Sequence, residues 1–517
     1  MRNYIKGWKP SELITAIHLI AVLFGVPLVF HDAYYDIGVT KYYYYCGAAA
    51  LLAPVLFTAL LNRPSLKDFI RSLSTAEKAL LIYWLVSALS TLFSPYRFES
   101  FWGNEGRFTG LFLMTIYVLA YFTITRYYKP HPVFIYACLL AGSIVFILGI
   151  TDFFNLNLLH FKDEIIPLHA PIFISTIGNI NFYSGYGAII LGLTAGLYTT
   201  WTHKGGAVGY FIVLILSFTG LIVGNSDNAY LAFGIVIGFL PLCLWATRKG
   251  IRRYLMLTSA LLLSFMAVKL CDVYFSHLVL APDGIRKVID GWDGFFYVCL
   301  AFWLLTAVVY VLDYRNHKQE ETVGKHARII WGIFLILAFL AVAAVLVDAN
   351  LLGHADRYGG LKNYVVFNND WGTHRGYIWR KAVENYMKFP FLQKLLGHGP
   401  DTYGIISLFN DVRESAGLYG ELFDSVHNEY LQFFVTIGPV GTAAYIVFLV
   451  LSIKEMLKNR QNPFAMGAAF AILCYSAQAV VSINQPSTTS VMWTVLAVGI
   501  AESRKKGGME GEKNNYE

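Results

Sequence analysis

The chain has 517 residues, of which 56% are hydrophobic and only 14% charged. A soluble domain carries about a quarter charged residues, so these values exclude an ordinary soluble fold and point to an all-α integral membrane protein. The formal net charge of +7 reflects how Lys and Arg divide between loops and gives no ground for nucleic-acid binding.

Fourteen apolar runs approach or reach the roughly 17–25 residues that cross a bilayer as a helix. Helices are the expected form, because an open sheet leaves edge groups unpaired in lipid. The first three lie near 12–30, 42–61 and 76–94. The first is long enough to span and lacks a small-residue cleavage site, so it reads as a span and not a signal peptide. Before the fourth comes Phe101-Trp102-Gly103-Asn104-Glu105-Gly106-Arg107-Phe108-Thr109-Gly110. Spans four to six lie near 108–126, 133–151 and 180–200, with Ile177-Gly178-Asn179-Ile180-Asn181-Phe182-Tyr183 at the start of the sixth. Spans seven and eight, near 208–224 and 228–246, flank Gly224-Asn225-Ser226-Asp227-Asn228. Runs near 253–271, 294–312 and 329–347 complete a membrane region at 1–347. A long polar loop occupies 348–426. The last three runs, near 427–452, 464–482 and 488–502, form a second membrane region at 427–502, and 503–517 reads as a disordered cytoplasmic tail.

With a cytoplasmic N-terminus, 25 of the 40 Lys and Arg residues fall on inner segments and 7 on outer segments other than the long loop. That bias follows the positive-inside rule. It places both termini in the cytoplasm and opens the 348–426 loop, with the three shorter segments quoted above, on the outer side. The six cysteines lie in or beside spans without a C-x-x-C pair, and read as apolar packing residues.

The long loop holds the polar chemistry. Ile378, Ala382 and Met387 alternate with Lys381, Glu384 and Lys388, which predicts a surface helix over 374–388, with Thr373 as N-cap and Pro390 after its end. Arg107, Arg375 and Arg380 are candidate phosphate binders, since a guanidinium fork matches phosphate and stays charged near lipid. Arg375 and Arg380 stand about 140° apart on such a helix, so they do not share a face. Gly397-His398-Gly399-Pro400-Asp401 is a turn whose His398 and Asp401 are candidate sugar contacts. His427-Asn428-Glu429 begins the next apolar helix. His427 is a candidate general base, with Asp424 placed to orient its ring and a helix N-terminus favouring the neutral imidazole. Asn428 and Glu429 join the candidate glycan site. Asn179 and Asn181 serve as helix caps or sugar ligands. Nothing resembles a nucleotide loop or a metal-binding pair, so neither cofactor nor metal is expected.

Gly178-Asn179-Ile180-Asn181-Phe182 is similar to a G-N-P-N-F motif. Arg375 through Arg380 with Gly397 through Pro400 is similar to R-x-x-x-W followed by G-x-G-P. His427 through Gln432 followed by Thr436-Ile437-Gly438-Pro439-Val440-Gly441 is similar to H-N-x-x-L then T-G-x-x-G. In this order, over roughly residues 90–500, the chain resembles the O-antigen ligase and polymerase superfamily. The resemblance implies a GT-C-like architecture in a bacterial plasma membrane. It also implies metal-independent glycan transfer from a polyprenyl-pyrophosphate-linked donor to a glycan, lipid or protein acceptor. Arg375 would hold the pyrophosphate and His427 would activate the acceptor hydroxyl. Ser226-Asp227 stands where many ligases have Ser-Arg, and Arg107 is the residue placed to compensate. The alternative from another class is a transporter or flippase of lipid-linked glycan. Transporters place ionisable groups in mid-membrane, and these spans are nearly free of charge.

Overall fold

A computed structural model describes residues 7–62, 65–315 and 322–505. Helices stand at all fourteen predicted positions. Eleven are long and apolar enough to cross a membrane, and Leu111–Tyr127 and Asn228–Leu244 are shorter apolar helices. The last, Pro486–Ser503, is buried along most of its length. The chain is a multi-pass membrane protein. Most of the expected tail, at 506–517, lies outside the described residues, as do the inner-side residues Arg2, Lys6, Arg63 and Lys318.

Ile180–Thr200 forms the axis of the bundle, with nearly every side chain buried. It packs on Pro463–Gln478 through small residues. A Cβ on Gly196 would stand 2.5 Å from the Gly467 Cα, and such close backbone approach is how helices bind each other where lipid supplies no hydrophobic drive. Phe295–Arg315 and His326–Asn350 lie at the edge, with most of their apolar side chains exposed, as expected where lipid covers them.

The helical expectation has one small exception. Phe173–Ile174 pairs antiparallel with Gly178–Asn179, because Ser175 (φ 54°) and Gly178 (φ 99°) turn the chain before the next helix.

A second correction concerns the run predicted at 427–452. Glu429–Lys458 is helical, but Gly438 (φ 74°, ψ 172°) breaks it ahead of Pro439. The Tyr445 hydroxyl donates to Glu429 Oε1 at 2.7 Å, although the residues are 16 apart. A straight helix would separate them by about 24 Å, beyond the reach of two side chains. The 429–437 piece therefore folds back beside the piece that follows the break.

The loops sort into two groups by contact. On one side Arg107 meets Asp424, Asn104 meets Asp401, and Asp227 accepts from Ile285 N and Tyr364. At the other, Arg504 bridges Glu77 and Glu455 at 3.0 and 2.8 Å, and Lys129 lies 3.6 Å from Glu12. Residues 348–426 are largely short helices with an apolar centre of their own, where Tyr377, Ile378, Tyr403 and Phe423 pack onto Val435.

Candidate functional site

The predicted 374–388 helix is observed as Trp371–Met387, but Gly372, Thr373 and His374 are left-handed, with φ of 61°, 58° and 67°. Thr373 is thus not an N-cap, and regular helix begins at Arg375. Left-handed geometry is costly for Thr and His and clusters at functional sites. Here it wraps the backbone beneath one guanidinium, and Arg375 Nη1 donates to the Gly372 carbonyl at 2.7 Å. Trp379, one turn on, donates to the Val426 carbonyl at 3.1 Å. That bond fastens the arginine helix to the residue before His427, itself left-handed at φ 53°.

The three candidate arginines differ in what holds them. Arg107 forms a two-pronged pair with Asp424, at 2.9 and 2.7 Å. Arg380 is bound to Glu384 at 2.7 Å and Glu414 at 3.5 Å, on the face opposite Arg375 as the helix period requires. Arg375 has no ion-pair partner among the described residues, and its Nε is buried without a hydrogen bond. Burial draws its pKa down and the charge of Asp227 opposes this. Arg375 is thus the guanidinium of the three that is free to take an anion.

His427 is partly buried. Desolvation, then the charges of Arg375 and Arg107, hold its pKa down at about 4, with Asp424 opposing. Burial beside two arginines thus favours the neutral imidazole, where the sequence points to the helix dipole. Asp424 does not orient the ring; it is engaged by Arg107, a partner 317 residues away in the chain.

The Gly-rich turn builds the site without opening onto it. His398 stacks on Phe389 at 5.2 Å and contacts Thr402 Oγ1 at 3.0 Å. Asp401 is buried at φ 59°, and its Oδ2 accepts from Asn104 N at 2.8 Å and Thr109 N at 3.0 Å. It clamps the 103–109 segment onto the long loop. Asn179 caps Ile180–Thr200 by accepting from Asn181 N. Asn181 Oδ1 accepts from Ser226 and Asn228 at 3.0 and 3.1 Å. Asn428 is the N-cap of Glu429–Lys458. Of the expected sugar ligands, these five are engaged in structural bonds.

Glu429 departs furthest from expectation. It is 1% exposed and buried in the bundle, with its two oxygens taken by the Tyr445 and Tyr475 hydroxyls at 2.7 Å each. The fold-back at Gly438 brings Tyr445 to it, so it does not face the loop. Lys41 is also fully buried, donating to the Val26, Pro27 and Val29 carbonyls at 2.7–3.0 Å. The bundle is therefore less free of charge than its apolar runs suggest.

Two histidines set a pH dependence. His398 and His427 titrate near 4 in the folded protein against 6.5 ordinarily, His398 through burial. Between those values the unfolded chain binds more protons. Stability is therefore expected to fall as pH drops from about 6.5 to about 4, by up to ~1.4 kcal/mol per pH unit for each group. Burial raises Asp401 to about 6, against the pull of the Asn104 and Thr109 amides, and this group gains stability as pH falls below 6. Asp290, raised to about 6 by burial and by the charge of Asp272, adds a second offset of the same sign, so the histidine contribution is read by difference. Thermal unfolding in nanodiscs should show the midpoint falling more steeply from pH 6.5 to 4 in the wild type than in His398→Gln.

The family model described as O-Antigen ligase matches residues 297–446. The match includes Arg375, Arg380, His398, Asp401 and His427 through Glu429, and excludes Arg107, Asn179, Asn181 and Asp227. No curated protein matches the chain.

Proposed function

The chain is O-antigen ligase-like through residues 297–446, and on that premise we propose that it is a membrane glycosyltransferase that ligates or polymerises glycan. Its donor in this reading is a polyprenyl-pyrophosphate-linked glycan in the outer leaflet of a bacterial plasma membrane. Its fourteen helices span as the charge bias orients them, with both termini cytoplasmic and a GT-C-like arrangement. The observation that carries the reading is one free guanidinium, Arg375, tied through Trp379 to a neutral, partly buried His427.

The chemistry follows from those two groups. The acceptor oxygen bonds to the anomeric carbon of the donor sugar. The bond from that carbon to the pyrophosphate oxygen breaks, and its electron pair leaves with the pyrophosphate. The acceptor proton passes to His427, which must start neutral. Arg375 meets the charge that grows on the departing phosphate, where a fixed donor counts most. An anionic donor also offsets Arg375, and so raises the basicity of His427 as the acceptor arrives. Metal is not required by this scheme.

The test is purified protein in nanodiscs with a defined lipid-linked oligosaccharide, with products identified by mass. His427→Ala, confirmed as folded, is expected to lower transfer by roughly 10²- to 10⁴-fold, the range for a positioned acid–base group. Transfer at the wild-type rate would remove His427 from the mechanism. Longer chains identify a polymerase, and glycan joined to a second glycan, lipid or protein identifies a ligase of that acceptor. Buried Lys41 and Glu429 are what favours the transport alternative. Each is saturated by fixed protein partners, and translocation without transfer by the protein reconstituted in sealed vesicles would select it.

A further inference from the structure

The turn ahead of Asn228–Leu244 carries a carboxylate that the proposed chemistry does not use. Asp227 is exposed but held in place. Its Oδ1 accepts from Ile285 N at 2.8 Å, and its Oδ2 from the Tyr364 hydroxyl at 3.4 Å. Gly284 lets the Ile285 amide come this close. It is left-handed at φ 57°, and a Cβ there would strike Asp227 Oδ1. Asn225 fastens the same segment, accepting from Asp283 N and donating to the Ala281 carbonyl, each at 3.2 Å. Both partners of the Asp227 carboxylate are donors, which favours its ionised form.

One residue joins this carboxylate to Arg375. The Tyr364 hydroxyl reaches Asp227, while the Tyr364 carbonyl accepts from Trp371 Nε1 at 3.0 Å. The next residue, Gly372, supplies the carbonyl that Arg375 Nη1 meets at 2.7 Å. Asp227 stands close enough for its charge to act on Arg375 without forming an ion pair with it. An anion on Arg375 therefore meets an attracting guanidinium and a repelling carboxylate. A site built only to hold pyrophosphate tightly gains nothing from that carboxylate. The two anions of the proposed reaction differ in charge, however. Pyrophosphate esterified at both ends, as in the donor, carries about two negative charges. The product keeps one ester, and its freed phosphate loses a second proton near pH 6, so it carries about three. A fixed negative charge weakens the binding of the more highly charged anion more.

We propose that Asp227 sets the release of product, repelling a lipid pyrophosphate monoester from Arg375 more strongly than the diester donor. The proposal rests on the reading of Arg375 as the group that holds pyrophosphate. Asp227 works through its charge on whatever occupies Arg375, and needs no contact with the reacting atoms.

The test uses full-length protein in nanodiscs, with farnesyl pyrophosphate as the monoester probe and farnesol as its uncharged control. Dissociation constants are measured by microscale thermophoresis. Asp227→Asn keeps an acceptor for the Ile285 amide and removes the charge. It is expected to tighten farnesyl pyrophosphate roughly two- to fivefold in about 10 mM salt, to lose that gain in about 1 M salt, and to leave farnesol unchanged. In transfer assays the donor KM should fall less than the inhibition constant of farnesyl pyrophosphate. An affinity for farnesyl pyrophosphate that is unchanged or weaker in Asp227→Asn overturns the proposal. So does a gain that persists in high salt, a matching change for farnesol, or an equal fall in the two kinetic constants. If Asp227→Asn does not fold, Asp227→Ser carries the same test. The two readings fail separately. Weaker farnesyl pyrophosphate binding in Arg375→Ala, with no change in Asp227→Asn, keeps the donor site and removes the role of Asp227. Unchanged binding in Arg375→Ala removes the donor site itself.

Discussion

Arg375→Ala is expected to lower glycan transfer by roughly 10²- to 10⁴-fold, because it removes two charge-assisted contacts worth about 1.5–3 kcal/mol each to a departing pyrophosphate. The comparison that gives this weight is with the other two arginines. Arg380 is spent on Glu384 and Glu414 at an exposed face, and such pairs contribute about 0–1 kcal/mol, so Arg380→Ala should change transfer little. Arg107→Ala releases Asp424 beside His427, and its expected effect is intermediate, through the base and not through the donor. Arg375→Lys is expected to recover only part of the activity, since an ammonium keeps the charge and loses the fork. The measurement is transfer from a lipid-linked oligosaccharide by the four variants, with unfolding midpoints recorded alongside. Equal losses for Arg375→Ala and Arg380→Ala would show that the free guanidinium has no special role.

Which parts of this arrangement could be read from sequence follows from how far apart the interacting residues lie. The apolar runs are legible because a bilayer demands a length, and helices occupy all fourteen positions. The divergence of Arg375 and Arg380 is legible too, since it needs only the helical period over five residues. The neutral His427 is also legible in outcome, though its cause is not. Burial and two arginines depress it, and one of them, Arg107, lies far back in the chain. Asp424 shows the limit. Sequence proximity assigns it to His427, yet folding pairs it with Arg107 at 2.7 Å. Glu429 fails for a different reason. Read as part of an unbroken helix, it begins a span at the loop edge. Only the left-handed Gly438 turns that segment back and seals the carboxylate against Tyr445 and Tyr475.

The bend at Gly438 is expected to be the most fragile structural element of the site. Gly438 and Gly397 press against each other's chains. A Cβ on Gly438 (φ 74°) would stand 2.1 Å from the Leu395 carbonyl oxygen, and one on Gly397 (φ 80°) would stand 2.3 Å from the Thr436 backbone. Neither obstacle is a flexible side-chain end. The same contact carries the bonds from His398 N to Val435 O at 3.1 Å and from Gly399 N to Thr436 O at 2.8 Å, which seat the long loop on the 429–437 piece. Gly420 gives the cost of an ordinary left-handed turn. Its φ of 70° comes with ψ 13° and a Cβ there meets nothing within 4 Å, whereas Gly438 (ψ 172°) and Gly397 (ψ −176°) lie where essentially only glycine is found, which adds to the clash. Gly420→Ala is therefore expected to lose only the backbone term, about 1–2 kcal/mol. Gly438→Ala and Gly397→Ala add a clash with main chain, and destabilisation above about 4 kcal/mol is expected for each. Their loss of transfer should follow from the loop lifting away from His427, although neither residue touches substrate. Thermal unfolding and transfer measured together on the three variants test this. Midpoints for Gly438→Ala and Gly420→Ala that coincide would mean the two chains do not press together there, and that something else seats the loop over His427.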